Sequence, residues 1–275
     1  MKRGLIALLS AVIVLSGCNN AGQNSGESDE KGNVLSLTFD TLRVNEVFAL
    51  DSIEKESPTL RIDINLLVPK TTDQAVAENI NNCITYAAYG YENITPQIAT
   101  DSIVKQIVHT YYEMRNDYFN EKSVNPGSPW FNAYYILKSA AGKGRDNSIC
   151  YTVRSEVYEG GAHPYSIISA VNFDAASGKE IGLHDIFAEG CDSLLTERLT
   201  TRLAQQHDVA SLQELKEIGF LTLNDMYVTN NFVLGEDSIY FIYNEYEIAP
   251  YALGSSCIGF NYNELKDILN NGRDT

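Results

Sequence analysis

The sequence predicts an α+β fold of antiparallel sheets, built from hairpins and a meander, packed by helices and divided into two closely associated subdomains. Three observations lead there. Leu60, Ile62, Ile64 and Leu66 alternate with Arg61, Asp63 and Asn65, the period-two pattern of a half-buried strand. Ala75, Val76, Ile80, Cys83, Ile84 and Ala87 recur at helical spacing. Strand-like and helix-like segments come in blocks and do not alternate strictly, which favours antiparallel sheets with helices on one face.

In chain order, strands over Val34–Leu50 and Thr59–Val68 open the domain as a hairpin. Thr72 or Asp73 can cap the first helix, which stops at Gly90. A second helix is expected from Pro96 to about Glu121, with Ile103, Ile107, Val108 and Tyr111 inward, broken by Pro126-Gly127-Ser128-Pro129. Strands over Trp130–Ser139, Ser148–Tyr158 and Tyr165–Phe173 then form an antiparallel meander. After a turn at Asp174–Lys179, helices follow near Asp192–Gln206 and Ser211–Ile218. Strands at Val228–Leu234, Ser238–Tyr243 and Cys257–Asn261 lead to a closing helix over Asn263–Asn270. A boundary near residue 170 divides the chain into subdomains 34–170 and 171–275, with the meander crossing it.

The segment ahead of this domain has a different character. Lys2 and Arg3 precede an apolar stretch, Gly4–Leu15. At about 1.5 Å per residue it falls short of the roughly 30 Å hydrocarbon core of a bilayer. It reads as the core of a signal peptide spanning residues 1–17. Leu15-Ser16-Gly17-Cys18 resembles the bacterial lipobox, which makes Cys18 the lipidated residue. Residues 18–33 are polar and Gly-rich, a flexible tether without apolar groups to offset its ordering entropy. The protein is thus expected to be exported and lipid-anchored to a bacterial membrane, the outer one where the cell has one, as Asn19 after the lipid cysteine favours.

A formal charge of −16 argues against nucleic acid as a partner and favours encounter with a basic protein, although an acidic surface also serves solubility. Cys83, Cys150, Cys191 and Cys257 are even in number in an oxidising compartment, so disulfides and free thiols both stay open. No Cys/His spacing points to a metal, no motif points to a cofactor, and HExxH, GxSxG, phosphate-loop and GxGxxG signatures are absent. The chain is therefore expected to bind and not to catalyse. The rival is a hydrolase acting on envelope glycan through carboxylates such as Glu159 and Glu247, and a third reading is a structural or assembly lipoprotein.

Two segments are chemically unusual. In Tyr158-Glu159-Gly160-Gly161-Ala162-His163-Pro164-Tyr165, Gly160, Gly161 and Pro164 predict a sharp turn that presents His163 at its tip, either to contact a ligand or to lock the turn through backbone carbonyls. In Tyr246-Glu247-Ile248-Ala249-Pro250-Tyr251-Ala252-Leu253-Gly254, Glu247 sits between Tyr246 and Tyr251, residues suited either to recognition or to packing on the sheet. The expected binding surface is His163, Tyr165, Tyr246, Glu247 and Tyr251.

EGGAHP, followed by Asn172-Phe173-Asp174, Ser177-Gly178-Lys179-Glu180-Ile181, His184-Asp185-Ile186-Phe187 and YEIAPYALG, resembles a bacterial envelope domain family of unknown function. That family is shared by the RsiV anti-sigma factor ectodomain and the N-terminal region of PdaC-type peptidoglycan deacetylases. The motif-bearing part runs from about Ser148 to Leu265. The resemblance implies an extracytoplasmic α+β domain and, from its best understood member, lysozyme binding. The chain has neither an anti-sigma segment nor room for a separate catalytic domain, so sigma-factor signalling and deacetylation are not expected to carry over. The expected partner is a basic protein such as lysozyme, or a cell-wall glycan.

Overall fold

The structure is a computed structural model and describes residues 37–124 and 129–270. The expected signal peptide, Cys18 and the expected tether lie outside the described residues, as does most of the Pro126–Pro129 break. Strands β1 (Thr38–Ala49) and β2 (Thr59–Lys70) pair antiparallel as the opening hairpin. Helix α1 (Gln74–Tyr89) starts where the Asp73 carboxylate accepts the N–H groups of Ala75 and Val76, and it ends at left-handed Gly90.

The expected long helix is two: α2 (Pro96–Glu113) and α3 (Arg115–Val124). Met114 closes α2 by donating to the Tyr111 carbonyl. The chain then resumes as α3, which buries Tyr118 edge-on against Phe131 at 5.5 Å. Of the inward positions expected on α2, Ile107, Val108 and buried Tyr111 pack on the core, while Val104 takes the place expected for Ile103.

Strands β3 (Ala133–Lys143), β4 (Ser148–Tyr158) and β5 (Tyr165–Asp174) form the antiparallel meander and complete a five-stranded sheet of order β1-β2-β3-β4-β5. The β2–β3 pair is parallel, a departure from the all-antiparallel expectation. The three intervening helices return the chain to the edge where β2 began, so β3 runs in the same direction. Trp130 lies in a 3-10 turn ahead of β3. Residue 170 falls within β5, and the sheet continues to Asp174.

The second subdomain contains α4 (Leu183–Ile186), α5 (Asp192–Gln206), α6 (Leu212–Glu217) and a sheet of β6 (Phe232–Leu234), β7 (Ser238–Tyr243) and β8 (Ser256–Asn261). The closing helix expected over Asn263–Asn270 is replaced by a 3-10 turn, Tyr262–Glu264, hydrogen-bonded turns over 265–268 and a short extended end. Leu269 bridges Phe187, and Asn270 donates to the Ile186 carbonyl at 2.9 Å, which is incompatible with helix to the end. Each sheet has its own buried core, one under α1–α3 and one under α5 and α6.

The joint between the subdomains is made by amide side chains. β5 has no strand partner on its outer edge, yet its backbone groups must be satisfied. Asn172, fully buried, donates to the Phe232 carbonyl and accepts the Leu234 N–H, both at 2.8 Å. Asn231 accepts from Ala170 N–H and donates to the Ile168 carbonyl, and Asn244 accepts the Ile168 N–H, again at 2.8 Å. This pinning at Asn244 sets the segment that follows it beside the β4–β5 turn. All four described cysteines are unpaired, so none of the open disulfide pairings forms. Burial raises the Cys83 and Cys150 thiols to about 12.

Candidate functional site

The β4–β5 turn is built by its glycines. Gly160 and Gly161 have φ of +87° and +102°, and a Cβ at Gly160 would sit 2.4 Å from the Trp130 carbonyl oxygen, so no other residue fits there without displacement. The Tyr158 hydroxyl donates to the Gly161 carbonyl at 3.1 Å. Pro164 leads into β5, and its carbonyl faces His163 Nδ1 at 2.9 Å. Because a carbonyl only accepts, Nδ1 is the donor in this contact. His163 thus locks the turn and is also exposed at its tip.

The second unusual segment meets that tip. Ile248 and Ala249 are buried, and the Ile248 carbonyl accepts from Leu221 N–H at 2.7 Å, which anchors the middle of the segment. Tyr246, at φ +68°, donates its N–H to the Ala249 carbonyl. With its centre held inward, the segment turns its tyrosines out. The Tyr251 ring stacks on His163 with centroids 3.7 Å apart and 15° between planes. Tyr246 follows at 6.2 Å and 28° from Tyr251 and is 53% exposed. Three rings from two distant segments form one platform.

Glu247 and Tyr165 are placed differently. The Glu247 carboxylate accepts the Tyr227 hydroxyl at 3.1 Å and is not left between the two tyrosines as expected, and its backbone carbonyl accepts from Asn224. Burial first, then Glu247, raises the Tyr227 hydroxyl to about 12. Tyr165 is exposed at the start of β5 and makes no ring contact with the platform among the described residues. Its hydroxyl is raised by burial and by Glu159.

Sequence reasoning missed the rings that extend the surface. The β3–β4 register sets Tyr134 opposite Tyr158, their centroids 5.8 Å apart. The Tyr134 hydroxyl donates to Glu156 at 2.8 Å. Burial, that bond and the nearby Tyr251 raise it to about 12, so it stays a donor at neutral pH. Trp130, 57% exposed, has its backbone against the Gly160 turn. Strand register was the missing signal. Among the described residues no His, Cys, Asp and Glu side chains converge as a metal site.

This geometry, a turn from one sheet receiving a tyrosine from a C-terminal segment, falls partly within a stretch of recognised sequence. Residues 184–262 match the family described as "Protein of unknown function (DUF3298)". The DUF3298 stretch contains Tyr246 and Tyr251, while EGGAHP precedes it. The chain is 29% identical over 114 residues to the peptidoglycan-N-acetylmuramic acid deacetylase PdaC of Bacillus subtilis, a match covering 41% of this chain and 24% of that protein. It thus spans about a quarter of the relative's length, in keeping with a domain of unknown function shared with PdaC-type proteins. The crystal structure of a DUF3298 family member from Bacteroides fragilis superposes with a TM-score of 0.77 at 27% identity, over 87% of this chain and 96% of that one. A DUF3298 protein from Pseudomonas aeruginosa shares the fold, with a TM-score of 0.55 at 15% identity over 85% and 95% of the two chains. No helix among the described residues is long and apolar enough to cross a membrane.

Proposed function

We propose that the protein is a lipid-anchored binding module of the bacterial cell envelope, tethered through Cys18, that recognises a cell-wall-associated ligand on the ring platform. The observation that carries this reading is the stack of exposed His163, half-buried Tyr251 and exposed Tyr246. Ring faces held in place by a buried anchor give contact area at little entropic cost, as recognition surfaces require. A lysozyme-type enzyme is the first candidate ligand, supported by the −16 charge and by the resemblance to the RsiV ectodomain. Wall glycan is the other, supported by the similarity to a peptidoglycan deacetylase. Binding is favoured over hydrolysis because Glu247 is already bonded by Tyr227 and Glu159 is exposed at the turn.

Calorimetric titration with lysozyme at low and moderate salt, with a neutral glycan fragment in parallel, tests the platform. Binding that survives added salt and weakens in Tyr251→Ala is expected. Heat that vanishes with salt, or that is unchanged by Tyr251→Ala, removes the platform as the site. The anchor is tested separately: Cys18→Ser is expected to move the protein from the membrane fraction to the soluble one.

A further inference from the structure

At the opposite end of β4 lies a cleft of about 250 Å³, lined by Arg145, Asp146, Asp185, Tyr262, Asn263 and Lys266 among others. We propose that this cleft is a second binding site, which takes a small hydroxylated monoanion through its carboxylate. The volume is just below the usual range of ligand pockets, roughly 300–1,000 Å³, and suits a molecule of monosaccharide size.

The unfilled hydrogen-bonding positions identify the ligand's charge. Asp146 accepts from Arg145 Nε at 3.0 Å. Asp185 accepts the Gly182 N–H at 2.9 Å and faces His184 Nε2 at 3.4 Å. Each carboxylate therefore holds a protein donor and keeps further lone pairs open. Arg145 is ion-paired with Asp146 through Nε, but its Nη1 and Nη2, like Lys266 Nζ, have no hydrogen-bond partner among the described residues. Two cations thus hold open donor positions at one cleft, in a chain whose overall charge is −16. A forked guanidinium edge and an ammonium that line one cleft match a carboxylate.

The arginine is also held in advance of any ligand. Its guanidinium carbon lies 4.4 Å from the Tyr262 ring centroid, and the Tyr262 hydroxyl is tied to the Gly235 carbonyl at 2.8 Å. The turn that carries it places two successive non-glycine residues, Asp146 and Asn147, at φ of +51° and +61°. That conformation is held by Ala175 N–H donating to the Asn147 carbonyl at 3.0 Å and Gly144 N–H donating to the Ser148 carbonyl at 2.8 Å. A preorganised guanidinium loses little freedom on binding. Asp146 and Asp185 at the same cleft repel a dianion but accept bonds from hydroxyl groups, which selects a hydroxylated monocarboxylate over phosphate.

The test titrates the purified full-length chain with glucuronate, glucose and inorganic phosphate, followed by calorimetry. Glucuronate is expected to bind at least about tenfold more tightly than the other two. Arg145→Gln and Lys266→Gln are each expected to weaken it by about tenfold, whereas Tyr251→Ala leaves it unchanged. Lys266→Gln alters an exposed side chain, so its reading does not depend on the stability of the Arg145 turn. Glucose binding as well as glucuronate, phosphate binding more tightly, full retention of glucuronate in Lys266→Gln, or no binding of any of the three would overturn the proposal.

Discussion

The two ends of β4 are built alike and present opposite chemistry. The strand has 11 residues, which at about 3.3 Å each separates its flanking turns by roughly 35 Å. Each turn has two residues at positive φ, and each is completed by a tyrosine from a 3-10 turn of the second subdomain: Tyr251 at one end, Tyr262 at the other. At the β4–β5 end the positive-φ residues are glycines, and the tyrosine stacks on His163 and stays in a row of exposed rings. At the β3–β4 end they are Asp146 and Asn147, and the tyrosine carries a guanidinium with open donors. Backbone conformation thus does not decide the chemistry a turn presents. A tyrosine arrives at both ends, and the turn's own side chain, His163 at one and Arg145 at the other, makes the difference.

The comparison can be broken most forcefully at the joint that both ends share. Asn172→Ala leaves the Phe232 carbonyl and the Leu234 N–H buried without partners, at a cost of about 2–5 kcal/mol, and is expected to weaken both ends together. Urea unfolding measures it, and a loss well under about 1 kcal/mol would mean that the amide bonds do not hold the subdomains. Gly160→Ala acts at one end only. Its left-handed φ and the contact with the Trp130 carbonyl predict a loss of about 1–3 kcal/mol, with the platform disturbed and the Arg145 cleft intact.

Tyr251→Ala sharpens the contrast further. It should remove about 1–2 kcal/mol of binding at the platform while changing the urea midpoint little, because the ring is only partly buried. A large stability loss would make Tyr251 a packing residue.

The smallest effect is electrostatic and lies beside Tyr262. The Asn261 N–H, and then Arg202, hold Glu264 below its ordinary range, and Arg198 does the same for Asp267. Carboxylates with lowered folded values contribute stability that is present above the unfolded carboxylate range and is lost as pH falls through the folded values. Both groups are exposed, so the expected result is a modest acid-side drop in the urea midpoint that shrinks with added salt. Arg198→Gln should reduce it, and a drop unaffected by salt would assign it elsewhere.

Local features were readable because their signals are local. Asp73 and Gly90 bound α1 through bonds and dihedrals that involve only neighbouring residues, and β4 and α5 have the bounds that their periodicity implies. The turn at Gly160 and Gly161 was legible for the same reason. The direction of β3 was not, since it depends on how three helices return the chain. Nor was the partner of Glu247: Tyr227 lies 20 residues away and meets it only after folding.

The sequence by itself determined most of the elements, the acidic surface and the two unusual segments, because propensity, charge and turn chemistry are properties of short stretches; the break at Met114, the three-residue β6 and the non-helical C-terminal segment were not among them. Only the tertiary structure decided that His163 meets Tyr251, that Tyr134 lies opposite Tyr158 and that Arg145 rests on Tyr262. Those contacts follow from strand register and from the Asn172, Asn231 and Asn244 bonds to β5 and β6, which satisfy buried backbone groups across a joint that no local pattern encodes.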